Sequence, residues 1–140
     1  MKNKDDSILQ PGSQITEPGH KENIGKCILI YDDNQEILFL CRKLLSKQYR
    51  VETLAKCENV LNDIDRIQPN LILMDLWIPE IGGEKAIALI KAKPSVSHIP
   101  VLLFSANSSI KEISIKIKAD GYIEKPFDIH TLKKMIETYI

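Results

Sequence analysis

Three short, almost wholly apolar runs restrict what this chain can fold into more than any other feature of its sequence. The runs occupy residues 27–31, 71–74 and 101–104. A strand with apolar side chains at successive positions is typical of a parallel sheet that helices cover on both faces. Two weaker strands are predicted, from Arg50 to Leu54 and from Gly121 to Ile123.

Apolar residues recur at helical spacing between the predicted strands. The stripes are Ile37, Leu40, Cys41, Leu44 and Leu45, then Val60, Leu61, Ile64 and Ile67, then Ala86, Ile87 and Ile90, and finally Leu132, Met135, Ile136 and Tyr139. Ser109 to Lys118 fits a strand or a helix; its place between two strands favours a helix, of low stability because it is rich in isoleucine. Strand–helix alternation predicts an α/β fold, a doubly wound, five-stranded parallel sheet with five helices.

The length and composition indicate one domain of ordinary size. We expect a flexible polar tail over residues 1–25 and a folded domain over residues 26–140. The formal net charge is zero, so neither nucleic-acid binding nor membrane-surface binding is supported. Without a recognisable signal peptide or membrane span, a cytoplasmic location is expected. Cys27, Cys41 and Cys57 lack zinc-site spacing and are interpreted as buried hydrophobic residues.

Polar side chains follow the predicted strands at the edge where open α/β sheets bind ligands, beyond the carboxyl ends of the strands. Asp32 and Asp33 follow the first strand, and Asp75 ends the third. Ser105 ends the fourth strand, and Lys125 follows the fifth. Taken singly, such an aspartate or serine is more often a helix N-cap, and such a lysine a solvated surface residue. Asp75 is harder to explain in that way, because no helix follows it directly.

Three carboxylates within a few ångströms repel one another unless a cation neutralises them or one of them binds a proton. Oxygen ligands favour Mg²⁺, with Mn²⁺ as a substitute. The cation and Lys125 would supply positive charge beside a transferring phosphoryl group, which is what phosphoryl transfer requires of a protein. A carboxylate can serve as the nucleophile. The strand ends therefore predict a magnesium-dependent phosphoryl acceptor.

Four segments, in order, resemble the receiver domains of response regulators, and the resemblance covers about residues 26–140. The segments resemble the acidic-pair strand, the phosphoacceptor strand and loop, the switch-hydroxyl strand and the Lys-Pro-Phe segment of that family. They occupy residues 28–34, 74–83, 100–106 and 121–127. Each is weak alone, but their order and spacing make the set specific. The resemblance implies the flavodoxin-like strand order 2-1-3-4-5.

The resemblance also implies the role of each residue. Asp75 would accept a phosphoryl group from a phosphohistidine of a sensor histidine kinase or a histidine phosphotransfer protein. Asp33, Asp75 and the backbone carbonyl of Trp77 would bind Mg²⁺ directly. Asp32 would hold the ion through water, and Ser105 would move to hydrogen-bond the phosphate.

Further implied features concern the switch and the phosphate lifetime. Lys125 would pair with the phosphate, and its peptide bond to Pro126 is expected to be cis. Tyr122 resembles the aromatic switch residue, although a half-exposed strand aromatic is the alternative. Trp77 and Asn107 stand where similar proteins modulate attack by water, so the indole would shield the acyl phosphate or else dock a partner.

One position departs from the family pattern. Lys118 occupies the place where the family often has glycine, just before the fifth strand. A glycine there accommodates a backbone with positive φ. We therefore expect either a strained lysine or a different turn at the end of the fourth helix.

These features predict a stand-alone response regulator that signals by phosphorylation-controlled contact with an unknown downstream protein. It would be a phosphoacceptor rather than an enzyme with a separate substrate. An interaction module that no longer takes phosphate would lack part of the acidic pair, acceptor and lysine set, all of which is present. A metal-dependent phosphatase would usually carry a second acid beside the nucleophile. In a flavodoxin-like electron carrier, Asp32 and Asp33 would repel the cofactor phosphate.

Overall fold

The structure, a computed structural model, describes residues 25–140. Apart from Gly25, the predicted flexible tail lies outside the described residues. The strands are β1 (Cys27–Tyr31), β2 (Arg50–Leu54), β3 (Leu71–Asp75), β4 (Val101–Ser105) and β5 (Gly121–Glu124). The helices are α1 (Gln35–Leu45), α2 (Val60–Ile67), α3 (Gly83–Ala92), α4 (Ile110–Lys116) and α5 (Ile129–Tyr139).

The five strands form one parallel sheet in the order β2-β1-β3-β4-β5. The predicted fold class and strand order are therefore confirmed. Every residue of the inner strands β1, β3 and β4 is buried, as their unbroken apolar runs predict. The edge strands β2 and β5 are only partly buried.

Two apolar cores lie on opposite faces of the sheet. Side chains of α2, α3 and α4 cover one face, and side chains of α1 and α5 cover the other. Cys27, Cys41 and Cys57 are free and fully buried, as interpreted from the sequence. Among the described helices, none is long and apolar enough to cross a membrane.

The apolar stripe of α1 differs from the prediction in two residues, because Leu38 belongs to it and Leu40 does not. Leu38, Cys41 and Leu45 face the core, whereas Leu40 is 42% exposed. Leu38, Cys41 and Leu45 follow one another at intervals of three and four residues, so they form a continuous stripe on the helix. Leu40 lies one residue before Cys41, which turns it away from that stripe.

The segment that fits both a strand and a helix forms the seven-residue helix α4. Its N-cap residue, Ser109, makes no side-chain capping bond, whereas Asp128 caps α5 by accepting from the backbone N–H of Thr131. Ile115 is 68% exposed, so part of the apolar content of α4 is not used in packing. Lys118 has φ of +65° after the helix, which is the strained backbone expected from a lysine at a glycine position.

We predict that Lys118→Gly stabilises the fold by about 0.5–1 kcal/mol, because glycine adopts positive φ without the clash of a Cβ atom. The free energy of unfolding, measured by urea titration, checks this. The matched control is Lys111→Gly within α4, which should cost about 1 kcal/mol because that backbone is helical. Equal destabilisation by the two substitutions would refute the strain at Lys118.

Candidate functional site

The ends of β1 and β3 bring three carboxylates together. Ligand oxygens of Asp32, Asp33 and Asp75 all lie within 4.8 Å of one another. The strands are adjacent and parallel, and Tyr31 pairs with Met74, so the residues that follow these two are level at the sheet edge. Asp32 and Asp75 are buried, whereas Asp33 is exposed.

Lys125 places an ammonium group against this acidic cluster. Its Nζ donates to Asp32 Oδ2 at 2.5 Å and to Asp75 Oδ1 at 3.3 Å. Its backbone N–H donates to the carbonyl of Ser105 at 2.8 Å, which fixes the chain after β5 against the end of β4. The peptide bond between Lys125 and Pro126 is cis, as predicted.

Ser105 is buried at the end of β4. Its Oγ accepts a hydrogen bond from the backbone N–H of Asn107 at 3.1 Å, so the hydroxyl is tied to the loop that leads to α4. Tyr122 is half-buried on β5 and pairs with Leu103 of β4. The switch roles of Ser105 and Tyr122 remain predictions.

Trp77 lies in the loop after β3, with 73% of its side chain exposed. Its indole and Asn107 belong to the rim of a cavity of about 700 Å³, whose walls come mainly from α3, α4 and the loop before α3. The carbonyl contact of Trp77 with a metal ion remains a prediction.

The helix-cap interpretation does not apply to Asp32 or Asp33. The N-cap of α1 is Asn34, whose Oδ1 accepts from the backbone N–H groups of Glu36 and Ile37. Asp32 Oδ1 accepts from the backbone N–H of Asn34 at 2.9 Å. The acidic pair therefore stands before the cap, and Asp32 holds the turn that leads into α1.

Two glycines mark the passage from the loop after β3 into α3, and the second packs against Asp75. Gly82 has φ of +80°, which favours glycine. A Cβ atom on Gly83 would lie 2.6 Å from the carbonyl oxygen of Asp75 and 2.9 Å from Cα of Leu76. Only a glycine allows the start of α3 to pack this closely on the backbone of Asp75. The Gly-Gly pair is the sequence signal for this contact, but the sequence analysis gave Gly83 no separate role.

The surroundings of Asp75 favour the protonated, neutral form of its carboxyl group. Burial raises the pKa of this carboxyl above its ordinary value, the charges of Asp32 and Asp33 raise it further, and Lys125 opposes them. One ammonium thus faces three carboxylates. An all-oxygen donor set with excess negative charge fits a hard divalent cation such as Mg²⁺.

We predict that Asp75→Asn makes the metal-free chain more stable at neutral pH. Because the folded chain keeps the Asp75 proton to higher pH than the unfolded chain does, the free energy of unfolding falls as pH rises through the raised pKa. Asp75→Asn removes this pH-dependent decrease. The free energy of unfolding of the variant should therefore exceed that of the original chain by an amount that grows from acid to neutral pH. Urea unfolding in chelator-containing buffer measures the difference.

The matched control is Asp65→Asn on the exposed face of α2. Its stability difference from the original chain should not follow the pH dependence seen for Asp75→Asn. A stability difference for Asp75→Asn that stays constant across the pH range contradicts the prediction.

Comparison with known proteins agrees with this geometry. The family model described as the response regulator receiver domain matches residues 28–137. Histidine kinase P4 of Formosa agariphila is 30% identical over 115 residues, which are 81% of this chain and 8% of that protein. Sensor histidine kinase TmoS of Ectopseudomonas mendocina is 27% identical over 116 residues, which are 81% of this chain and 12% of that protein. The chain thus spans a small part of these relatives.

Solved structures show the same fold. The N-terminal domain of the nisin resistance regulator NsrR, a lantibiotic response regulator, is 26% identical with a TM-score of 0.73, covering 82% of this chain and 97% of that one. The receiver domain of a sensor histidine kinase from Pseudomonas aeruginosa is 24% identical with a TM-score of 0.74, covering 82% and 97%. That domain was solved with a magnesium ion coordinated in its active-site cleft.

Proposed function

Because this chain belongs to the response regulator receiver domain family, we propose that it is a phosphorylation-controlled switch of a two-component system, with Asp75 as the acceptor. The observation that carries this proposal is the contact of Lys125 with the buried Asp75 inside the acidic cluster. The donor would be a phosphohistidine on a sensor histidine kinase or a histidine phosphotransfer protein.

Transfer moves the phosphoryl group from a nitrogen to an oxygen. The phosphorus–nitrogen bond of the donor breaks while a phosphorus–oxygen bond to Asp75 forms, and the imidazole leaves with the electron pair. Lys125, 3.3 Å from Asp75 Oδ1, is close enough to neutralise charge on the arriving oxygens. Ser105 would donate its hydroxyl to the bound phosphate after it leaves its contact with Asn107.

Asp75 is better placed than its neighbours to be the acceptor. Both oxygens of Asp32 already accept hydrogen bonds, one from Lys125 and one from the backbone of Asn34. Asp33 is exposed to solvent, where water would attack an acyl phosphate. Asp75 is buried at the centre of the cluster and touches the ammonium.

The acidic cluster would also hold the cation that the reaction needs. Asp33, Asp75 and the carbonyl of Trp77 would bind Mg²⁺ directly, and Asp32 would bind it through water. The bound ion supplies positive charge that offsets the charge of the phosphoryl oxygens. The magnesium in the Pseudomonas aeruginosa domain supports this assignment.

The signal would leave by contact with another protein. New hydrogen bonds to the phosphate would draw Ser105 and its loop towards Asp75, and Tyr122 on the neighbouring strand would turn inward. Such a local change biases a two-state element and thereby alters a binding surface. The downstream target would recognise that altered surface.

We predict that acetyl phosphate with Mg²⁺ adds one phosphoryl group to this chain and none to Asp75→Asn. Intact mass spectrometry measures the addition, and a chelator should abolish it because the acidic cluster then lacks its cation. The matched control is Asp65→Asn, an exposed acid on α2, which should be phosphorylated like the original chain. If the chain stays unmodified with Mg²⁺ in excess, the proposed function is wrong, and the alternative of an interaction module that takes no phosphate is favoured.

We predict that Trp77→Ala shortens the lifetime of the phosphorylated chain severalfold, because an indole two residues from Asp75 limits access of water to the acyl phosphate. The measurement is the decay of phosphorylated protein after removal of the donor. Trp77→Phe, which keeps a flat ring, should have a phosphoryl lifetime between those of the original chain and Trp77→Ala. Equal lifetimes in all three chains would instead favour a docking role for the exposed indole.

A further inference from the structure

Phe104 lies beside the site, although the sequence analysis treats it only as part of an apolar run. It is fully buried at the penultimate position of β4. Its Cα pairs with that of Asp75 on β3. Side chains of paired residues point to the same side of a sheet, so the ring and the acceptor carboxylate are neighbours.

The ring of Phe104 also meets the ammonium group of the site. Nζ of Lys125 lies 4.8 Å from the ring centroid. The side chain of Lys125 is only 17% exposed. The face of an aromatic ring attracts a cation, and more strongly where water is excluded. The ammonium is therefore held by two carboxylates and one aromatic face.

A second ring ties Phe104 to the chain beyond the lysine. The rings of Phe104 and Phe127 have centroids 5.3 Å apart with a tilt of 39°. The backbone N–H of Lys125 is bonded to Ser105, the residue after Phe104. The segment that carries the lysine is thus attached to the end of β4 by a backbone hydrogen bond at Lys125 and by a ring contact at Phe127.

We propose that Phe104 is a positioning residue for phosphoryl transfer, whose ring keeps the ammonium of Lys125 beside the acceptor. This inference rests on the proposed function. The ammonium lies closer to Asp32 than to Asp75, so a contact outside the carboxylates helps to keep it near the acceptor. The ring supplies a third contact, and the ring carries no charge that changes when Asp75 is protonated or phosphorylated.

The contact is tested first without any phosphorylation. In the metal-free protein, the side-chain methylene protons of Lys125 should show ring-current shifts by NMR, and Phe104→Leu should move them towards the values of an unstructured lysine. Unchanged shifts in Phe104→Leu overturn the proposal. The result does not depend on whether the chain accepts a phosphoryl group.

The effect on the reaction is tested with acetyl phosphate and Mg²⁺. Phe104→Leu should slow phosphorylation roughly three- to thirty-fold, the range expected for the loss of a partly desolvated cation–π contact. A chain with 3,4,5-trifluorophenylalanine at position 104 keeps the ring shape but weakens the negative face, so it should be slowed to a smaller extent. Its folding stability, measured in parallel, should stay close to that of the original chain.

A mutant cycle separates positioning from packing. In a Lys125→Met background, Phe104→Leu should cause no further slowing, because the group that the ring positions is gone. Equal slowing in both backgrounds, or none in either, overturns the proposal. Phe39→Leu is the matched control, since that exposed ring lies 5.9 Å from Lys43 on α1 and should leave the rate unchanged. If the original chain takes no phosphoryl group, the proposed function itself is wrong. That outcome differs from a failure of Phe104 to hold Lys125, which the NMR measurement tests separately.

Discussion

The ammonium of Lys125, held between the carboxylates of Asp32 and Asp75, is the interaction on which the site depends. It joins residues that are 93 and 50 positions apart in the chain. Without a positive charge, the buried carboxylates would repel one another and favour protonation. With a single ammonium against three carboxylates, the cluster stays negative enough to attract a divalent cation. The same charges that make the site costly to fold therefore make it suited to bind metal and phosphate.

The strand order explains why the side chain of Lys125 passes the end of β4. Lys125 follows β5, whereas Asp32 follows β1, and both β3 and β4 lie between these two strands. The lysine side chain must therefore cross the end of β4 to reach the acidic cluster. Phe104 occupies that crossing, and its ring gives the ammonium a favourable surface where a polar side chain would compete for the carboxylates.

The sheet and the meeting of the three carboxylates with Lys125 at one edge could be predicted from the sequence, because both follow from simple constraints. Fully buried strands leave unbroken apolar runs, and the carboxyl ends of parallel strands share one edge. The contacts of Gly83 and Phe104 could not be predicted, since they depend on which atoms the register brings near Asp75. The prediction placed Leu40 in the stripe of α1 because it is apolar and adjacent to Cys41, and only packing against the sheet shows which of the two side chains is buried.

Stability is distributed unevenly around this edge, and the distribution suits a switch. Asp32 and Asp75 are attached to inner strands whose residues are all buried, so the charges are fixed in place. Ser105 instead leads into a loop and then into α4, a short helix without a side-chain cap that ends at the strained Lys118. Segments of low local stability move at low free-energy cost. We therefore expect a change of charge at Asp75 to alter the α4 side of the molecule before it disturbs the strands that hold the carboxylates.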